Sequence, residues 1–459
     1  MIDLKDFKDK RVHFIGIGGC SMSGLAQIMH KLGYTVDGSD ARESNFTQIL
    51  INRGIPVQIG HSEEYVKNAG LVVYTAAIKP ENPEFAYAKS HGLPMLERSV
   101  LLGLLSKDYE DVVCVSGCHG KTTITSMLAL ITKDTVIDPT VHVGGEVDFL
   151  SGGVKLGDSS CFITEACEYV RSFLPLHPKY IILNNIDDDH LDYYKNIEEI
   201  IETFRDFISL LPADGILFAN TDDANTRKAL EGYSGKLISY SLSGDSMYAP
   251  KIVAYDELGC PTFDVLKEGK VMGRIVLNVP GDHNVQNALA AAALAYEIFG
   301  ISFAESAKAL LHYHLAGRRF QLIGEKDGVK IFHDYAHHPT EIKACLAAAK
   351  RYPHKKLWVL FQCNSFTRAR TLKEKYGLAF DDADTVLMPD IFPGRDIDRG
   401  DIHATEIVDL INAHSHNCVY LPTFLDIKAY LKEHWQPGDI VVTLGSGDVN
   451  KQQMVLLED

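Results

Sequence analysis

The stretch Gly117-Cys-His-Gly-Lys-Thr-Thr123 has the residue types and spacing that could do chemistry most directly. It follows the apolar, β-branched run Val112-Val-Cys-Val and precedes a run with helical spacing, so it reads as a phosphate loop between a strand and a helix. Backbone N–H groups around Gly117, His119 and Gly120, together with the positive helix end, would face a phosphate. Lys121 would reach the terminal phosphates, and the hydroxyl of Thr122, next to Thr123, would meet Mg²⁺. The strict G-x-x-x-x-G-K-[ST] pattern fails, because Val115 stands where its first Gly belongs. The plainer alternative is a Gly-rich turn with a surface Lys.

Two acidic features share the block that follows. Glu165 ends an apolar strand just before Glu168, and Asp187-Asp-Asp-His190 follows the next strand. Hard oxygen ligands with one imidazole near a phosphate loop suit Mg²⁺ or Mn²⁺, so Glu165, His190 and Thr122 form the expected metal set. A solvated acidic loop is the competing reading. Asn284, in Gly281-Asp-His-Asn284, could read an adenine edge or cap a helix. Arg318-Arg319 could neutralise phosphate charge. The cluster from His333 to Glu341 contains three histidines, yet its spacing fits no common zinc motif and Pro339 prevents a regular helix through it. It reads as a polar, substrate-facing loop.

A second glycine turn lies near the N-terminus. Gly16-x-Gly18-x-x-Ser21, with Gly19, Met22 and Ser23 beside it, follows a strand and precedes a helix. Asp37 and Asp40 lie about twenty residues on, where an acid would meet a ribose hydroxyl. This pattern fits a dinucleotide, a nucleotide sugar or a tight strand–helix turn.

The elements that must position these residues alternate strand and helix along all 459 residues, which signals parallel sheets covered by helices. The expected fold is α/β in three domains. A Rossmann-like domain spans 1–108, and a central P-loop domain spans 109–314. The latter has a parallel sheet plus a small antiparallel insert near 236–280. A third Rossmann-like domain spans 315–459. The formal charge of −16, from 45 basic and 61 acidic residues, argues against a nucleic-acid partner. No apolar run approaches the ~20 residues of a membrane span, and the N-terminus has no apolar leader core. No membrane insertion is therefore expected. Nine Cys never form C-x-x-C, the usage of a reducing cytoplasm, so a cytoplasmic location is the expectation.

Assembled in order, these motifs resemble the Mur ligases of peptidoglycan synthesis. The resemblance covers nearly the whole chain. It is carried by His13-Phe-Ile-Gly-Ile-Gly-Gly, Met22-Ser-Gly-Leu-Ala, Ala77-Ile-Lys-Pro-Glu-Asn-Pro, the phosphate loop, Glu165 and Asp189-His190-Leu-Asp. Pro280-Gly-Asp-His-Asn284, Arg318-Arg-Phe-Gln, Asp334-Tyr-Ala-His-His-Pro-Thr-Glu and Leu444-Gly-Ser-Gly-Asp448 complete it.

The resemblance implies an ATP- and Mg²⁺-dependent ligase that joins L-alanine to the lactyl carboxylate of UDP-N-acetylmuramate, as a monomer or homodimer. It implies that the first domain holds the uridine diphosphate part, through Gly16, Gly18, Gly19, Ser21, Met22, Ser23 and Asp40. By the same match, Lys121 and Thr122 would serve the γ-phosphate and Mg²⁺, and Glu165 and His190 would ligate metal. Asn284 would meet adenine, and Arg319 nucleotide phosphates. Asp334, His337 and His338 would lie near the amino-acid site.

The sequence departs from the family pattern at several places. Cys118 replaces the usual Thr, Ser21 a Gly, and His333 an Asp; Glu165-Ala-Cys-Glu-Tyr replaces E-A-D-E-S. Gln362-Cys-Asn-Ser-Phe-Thr-Arg368 replaces a pattern close to Q-P-H-T-Y-S-R. A related ligase with another amino acid, a ligase recycling a peptide, a nicotinamide oxidoreductase built on the first turn, and a paralogue that only binds are the alternatives.

Overall fold

The computed structural model describes residues 2–145, 147, 149–150, 153–314, 319–394 and 396–458, so Arg318 lies outside the described residues. Three sheets succeed one another along the chain. The first holds β1 (Arg11–Ile15), β2 (Thr35–Asp40), β3 (Val57–Ile59), β4 (Leu71–Tyr74) and β5 (Met95–Glu97), in order β3-β2-β1-β4-β5 and all parallel.

The central sheet holds β6 (Asp111–Ser116), β7 (Thr140–His142), β8 (Val154–Lys155), β9 (Cys161–Ala166), β10 (Tyr180–Leu183), β11 (Ile216–Asn220), β12 (Lys236–Tyr240), β13 (Tyr248–Tyr255), β14 (Pro261–Lys267) and β15 (Lys270–Val276). Its order is β15-β14-β13-β12-β11-β10-β6-β9-β7-β8. The third holds β16 (Gln321–Lys326), β17 (Val329–Asp334), β18 (Leu357–Phe361), β19 (Thr385–Met388), β20 (Cys418–Tyr420) and β21 (Ile440–Leu444), in order β16-β17-β21-β18-β19-β20.

Strands β6, β10, β11, β18 and β21 are buried nearly end to end, which matches their continuous apolar runs: a parallel strand with helices on both faces has no wet side. The expected antiparallel insert is narrower than 236–280. Lys236–Tyr240 pairs parallel with β11 and β13 parallel with β12, and within this segment the antiparallel pairs are β13–β14 and β14–β15, an extension of the same sheet. Alternation in sequence reports one exposed face and carries no information on strand direction.

The sheet orders set where ligands can sit. β1 lies between β2 and β4, β6 between β10 and β9, and β21 between β17 and β18. Where connections from two adjacent strands run to opposite sides, as from β1 to β2 and β4 to β5, or from β6 to β7 and β10 to β11, a crevice opens at the carboxyl ends. A glycine turn follows each of these three strands: Gly16–Gly19, Gly117–Gly120 and Gly445–Gly447. The first unit is anchored on the second by the helix Arg98–Ser106. A Cβ at Gly103 would stand 2.3 Å from the Pro175 carbonyl oxygen, so only glycine permits this approach. All nine cysteines are free thiols. Among the described residues, no helix is long and apolar enough to cross a membrane.

Candidate active site

The phosphate loop turns on Gly120, whose φ of 87° places it at the left-handed N-cap of the helix Lys121–Ile131. Lys121 folds back over the loop: its Nζ donates to Gly117 O at 2.5 Å, Cys118 O at 3.1 Å and the Glu168 carboxylate at 2.9 Å. Burial works against the ammonium, but the wholly buried Glu168 outweighs it and holds the Lys121 pKa up. Glu168 is the residue that sequence reading passed over. Its position one turn beyond Glu165, past a strand end, was the available signal.

The expected metal residues fall into two places. Glu165 accepts from Gly144 N–H at 2.8 Å; desolvation pushes its carboxyl pKa up, partly opposed by that N–H, the Thr122 hydroxyl and Lys121. His190 joins Glu168 and Asp189 in a group whose ligand atoms lie within 4.8 Å of one another, a group that does not include Glu165. Burial lowers the His190 pKa, and hydrogen bonding to Glu168 with the charge of Asp189 raises it further than burial lowers it. His190 also adopts φ +56°, an uncommon conformation for a residue with a Cβ.

A second group joins the loop to the third unit. His119 Nε2 meets Asp187 Oδ2 at 3.1 Å and its Nδ1 meets Glu341 Oε1 at 3.2 Å. Burial opposes the charged ring, but these carboxylates push its pKa up to about 10. Thr340 Oγ1 donates to the same Asp187 oxygen at 2.6 Å, Lys375 Nζ reaches Asp188 at 2.5 Å, and Arg368 Nη2 lies 3.7 Å from Asp189. Each carboxylate of the Asp187–Asp189 run therefore faces a group from the third unit. Cys118, in place of the family's Thr, donates its thiol to Asp187 O at 3.3 Å and accepts from Asp187 N–H at 3.2 Å, so it still ties the loop to this run.

Two cavities lie between the central and third units, and the smaller is lined by the loop. The smaller, about 330 Å³, is lined by His119, Gly120, Thr123, Asn284, Arg319 and Asp334, among others. Asn284 Nδ2 donates to Pro280 O at 2.7 Å, and its Oδ1 is buried with no hydrogen-bond partner among the described residues. The larger, about 920 Å³, is lined by Asp189, His190, Tyr335, Asn364, Arg368 and Ser446, among others.

The remaining expected site residues are engaged in contacts within the protein. His337 and His338 line neither cavity. His338 is fully buried with Nδ1 3.3 Å from Asp187, and Nδ1 of His337 faces Tyr335 O at 3.0 Å, because the helix beginning at Pro339 turns this segment toward the phosphate loop. His337 is pushed down to about 4 by burial. Asp334 serves its own backbone, accepting from Phe320 and Ala336 N–H. Of the departures near the amino-acid site, Asn364, Ser365 and Thr367 line the larger cavity, where Asn364 Nδ2 donates to Ser446 Oγ at 2.8 Å. Cys363 is buried behind it, and His333 Nδ1 meets Thr443 Oγ1 inside the third sheet.

In the first unit, Gly16 donates to Ser39 O, Gly18 to Asp40 Oδ2 and Gly19 to Gly16 O. Met22 and Ser23, expected to face substrate, point their side chains inward: Met22 is in the apolar core and Ser23 Oγ donates to Cys20 O. Helical periodicity turns these two positions away from the turn's open side. Asp37 is taken by Arg11 and His13. Ser21 faces outward, to Arg98 and His142.

Known proteins resemble the chain along its whole length. Residues 11–110 match the sequence profile described as Mur ligase family, catalytic domain; 115–295 match the Mur ligase middle domain; 318–447 match the Mur ligase, glutamate ligase domain. A UDP-N-acetylmuramate–L-alanine ligase of Acetivibrio thermocellus is 45% identical over 98% of this chain and 96% of its own length. One from Caldanaerobacter subterraneus is 43% identical over 100% and 99%. The UDP-N-acetylmuramate-alanine ligase MurC of Thermotoga maritima superposes with a TM-score of 0.79 at 26% identity, covering 98% of both chains. A murein peptide ligase of Psychrobacter arcticus gives 0.70 at 26%, also over 98% of both. With family profiles spanning three successive segments and full-length relatives above 40% identity, the chain belongs to the Mur ligase family.

Proposed function

We propose that this chain joins L-alanine to the lactyl carboxylate of UDP-N-acetylmuramate at the expense of ATP. The observation that carries this reading is a phosphate loop lining one of two cavities between the central and third units, in a chain 45% identical to a ligase of that name. The smaller cavity takes the adenosine, with the unpartnered Asn284 Oδ1 free to accept from the adenine amino group. Arg319 and the loop N–H groups face the phosphates, and Lys121 exchanges its two loop carbonyls for the γ-phosphate while Glu168 keeps it charged. The carboxylate pKa of Glu165, raised by desolvation, and the adjacent Thr122 hydroxyl fit a divalent cation, as does the Glu168–Asp189–His190 group. When bound, Mg²⁺ would neutralise charge on the transferring phosphoryl group.

The lactyl carboxylate oxygen attacks the γ-phosphorus, the bond to the β-bridging oxygen breaks, and ADP leaves an acyl phosphate. Lys121 and the helix N-terminus stabilise charge on the phosphoryl oxygens. The neutral amine of alanine, its carboxylate held by Arg368 in the larger cavity, attacks the acyl carbon. The tetrahedral oxyanion collapses to the amide as phosphate leaves and the nitrogen loses a proton. The third unit covers both cavities and keeps water from the acyl phosphate. The uridine diphosphate belongs at the start of the helix Cys20–Lys31, since the N–H groups of Gly16, Gly18 and Gly19 are already donated to Ser39, Asp40 and Gly16.

The nicotinamide reading falls with the family assignment, and both candidate ribose acids, Asp37 and Asp40, are engaged elsewhere. The test is phosphate release from ATP and Mg²⁺ with UDP-N-acetylmuramate, screened across amino acids and the murein tripeptide. Alanine is the expected best acceptor; a clear preference for the peptide would replace synthesis by recycling.

A further inference from the structure

Arg98 opens the helix that anchors the first unit on the second. It is half-buried, and its Nη1 donates to Ser21 Oγ at 3.2 Å. Ser21 Oγ in turn meets His142 Nε2 at 3.1 Å, and His142 Nδ1 meets Thr164 Oγ1 at 3.2 Å, one residue before Glu165. A line of four polar side chains thus runs from the first glycine turn to the strand end beside the phosphate loop. Arg98 is the cation on that line. A guanidinium carries five N–H donors, and among the described residues Arg98 has Ser21 as its recorded hydrogen-bond partner and no carboxylate within ion-pair distance. Its charge is felt at two enclosed side chains, His142 and Cys167. Cys167 follows the strand Cys161–Ala166, so the guanidinium's charge reaches the strand end beside the phosphate loop. Burial, and secondarily Arg98, push His142 down to about 4, which leaves it a neutral hydrogen-bonding spacer at neutral pH.

We propose that Arg98 binds the lactyl carboxylate of the nucleotide sugar and presents it to the phosphate loop. The inference rests on the substrate reading above and adds a residue to it. The acid must travel from the first unit, which holds the nucleotide, to the γ-phosphate at Lys121, and Arg98 stands between the two. A planar fork matches a carboxylate through two parallel N–H bonds, which an ammonium does not reproduce.

Calorimetry on wild type, Arg98→Gln and Arg98→Lys, each with UDP, UDP-N-acetylglucosamine and UDP-N-acetylmuramate, separates the candidate anions. The first two ligands carry the diphosphate and lack the lactyl carboxylate. Arg98→Gln is expected to weaken UDP-N-acetylmuramate about tenfold or more and the other two less than about twofold, with Arg98→Lys intermediate. In turnover, kcat/KM for the nucleotide sugar falls by a similar factor while KM for ATP holds within about twofold. Equal weakening of all three ligands would assign Arg98 to the diphosphate or to folding and overturn the proposal, as would no weakening at all. Failure of the wild-type protein to bind UDP-N-acetylmuramate would instead overturn the substrate reading, before any variant is compared.

Discussion

Reversing the charge of Lys375 tests whether the Asp187–Asp189 run docks the third unit. Lys375 Nζ sits 2.5 Å from both Asp188 oxygens, but the lysine is 50% exposed and the aspartate 22%. Water screens such a pair, so the attraction is worth about 1 kcal/mol at most. Lys375→Glu loses that and adds repulsion from Asp188 and its two acidic neighbours, giving about 1–2 kcal/mol against docking. If docking completes the site, kcat/KM for ATP and for alanine drops roughly 5- to 30-fold. Asp188→Lys alone is expected to do the same, and the double swap Asp188→Lys with Lys375→Glu to return within about threefold of wild type. The assay is steady-state phosphate release at low and high salt, with a fluorophore pair across the central and third units reporting separation. The single-variant defects shrink as salt rises, because the repulsion is screened. A double swap no better than the product of the single defects would refute the docking argument and return Asp188 to the status of a solvated loop residue.

Other consequences follow from the same contacts. Lys121→Ala is expected to cost about 10²–10³ in kcat with the fold retained, and near wild-type ATP consumption would defeat its assignment to the γ-phosphate. Glu165→Gln and His190→Ala should each raise the Mg²⁺ concentration for half-maximal rate; unchanged Mg²⁺ titrations in both would remove them from the metal set. His119 has its folded pKa raised to about 10, so its stabilising contribution is full below about pH 6.5 and is lost as pH rises toward 10. The difference in melting temperature between wild type and His119→Gln therefore shrinks from pH 6.5 to 10, and a difference that grows would contradict this. Asn364→His is expected to raise the ratio of alanine to serine turnover, since Asn364 is one of the altered residues that line the larger cavity; an unmoved ratio would place selectivity elsewhere.

The parts legible in the sequence were those written in local order. A β-branched run, a glycine turn and a helical run suffice to locate the phosphate loop, because strand, loop and N-terminus are contiguous there. The same holds for the glycine turn after β1, and for the helix starting near Asn284. Contacts between residues far apart in sequence, within a unit or across units, were not legible. Nothing local says that Glu168 will hold Lys121, 47 residues away, or that Glu341 will reach His119 across 222. The histidines at 337 and 338 invited placement at the amino-acid site because they sit in a polar segment. Their direction is set by the helix after Pro339, which packs the segment against the phosphate loop.

Those cross-unit contacts bear on why the acidic run takes the form it does. A run of three aspartates followed by histidine has two competing uses, metal binding and docking, and its members face two ways. Asp187 pairs with His119 of the central unit and accepts from Thr340 of the third, and Asp188 pairs with Lys375 of the third, while Asp189 and His190 turn toward Glu168 and the larger cavity. Arg368 spans the two uses, lining the cavity while lying 3.7 Å from Asp189. An amino acid whose carboxylate draws Arg368 would compete with Asp189 for it, and would free that aspartate to face the cation group. Acceptor binding and the charge of the metal group are then coupled through one guanidinium. That coupling gives a physical reason for placing the acceptor's anchor on the same contact that docks the third unit.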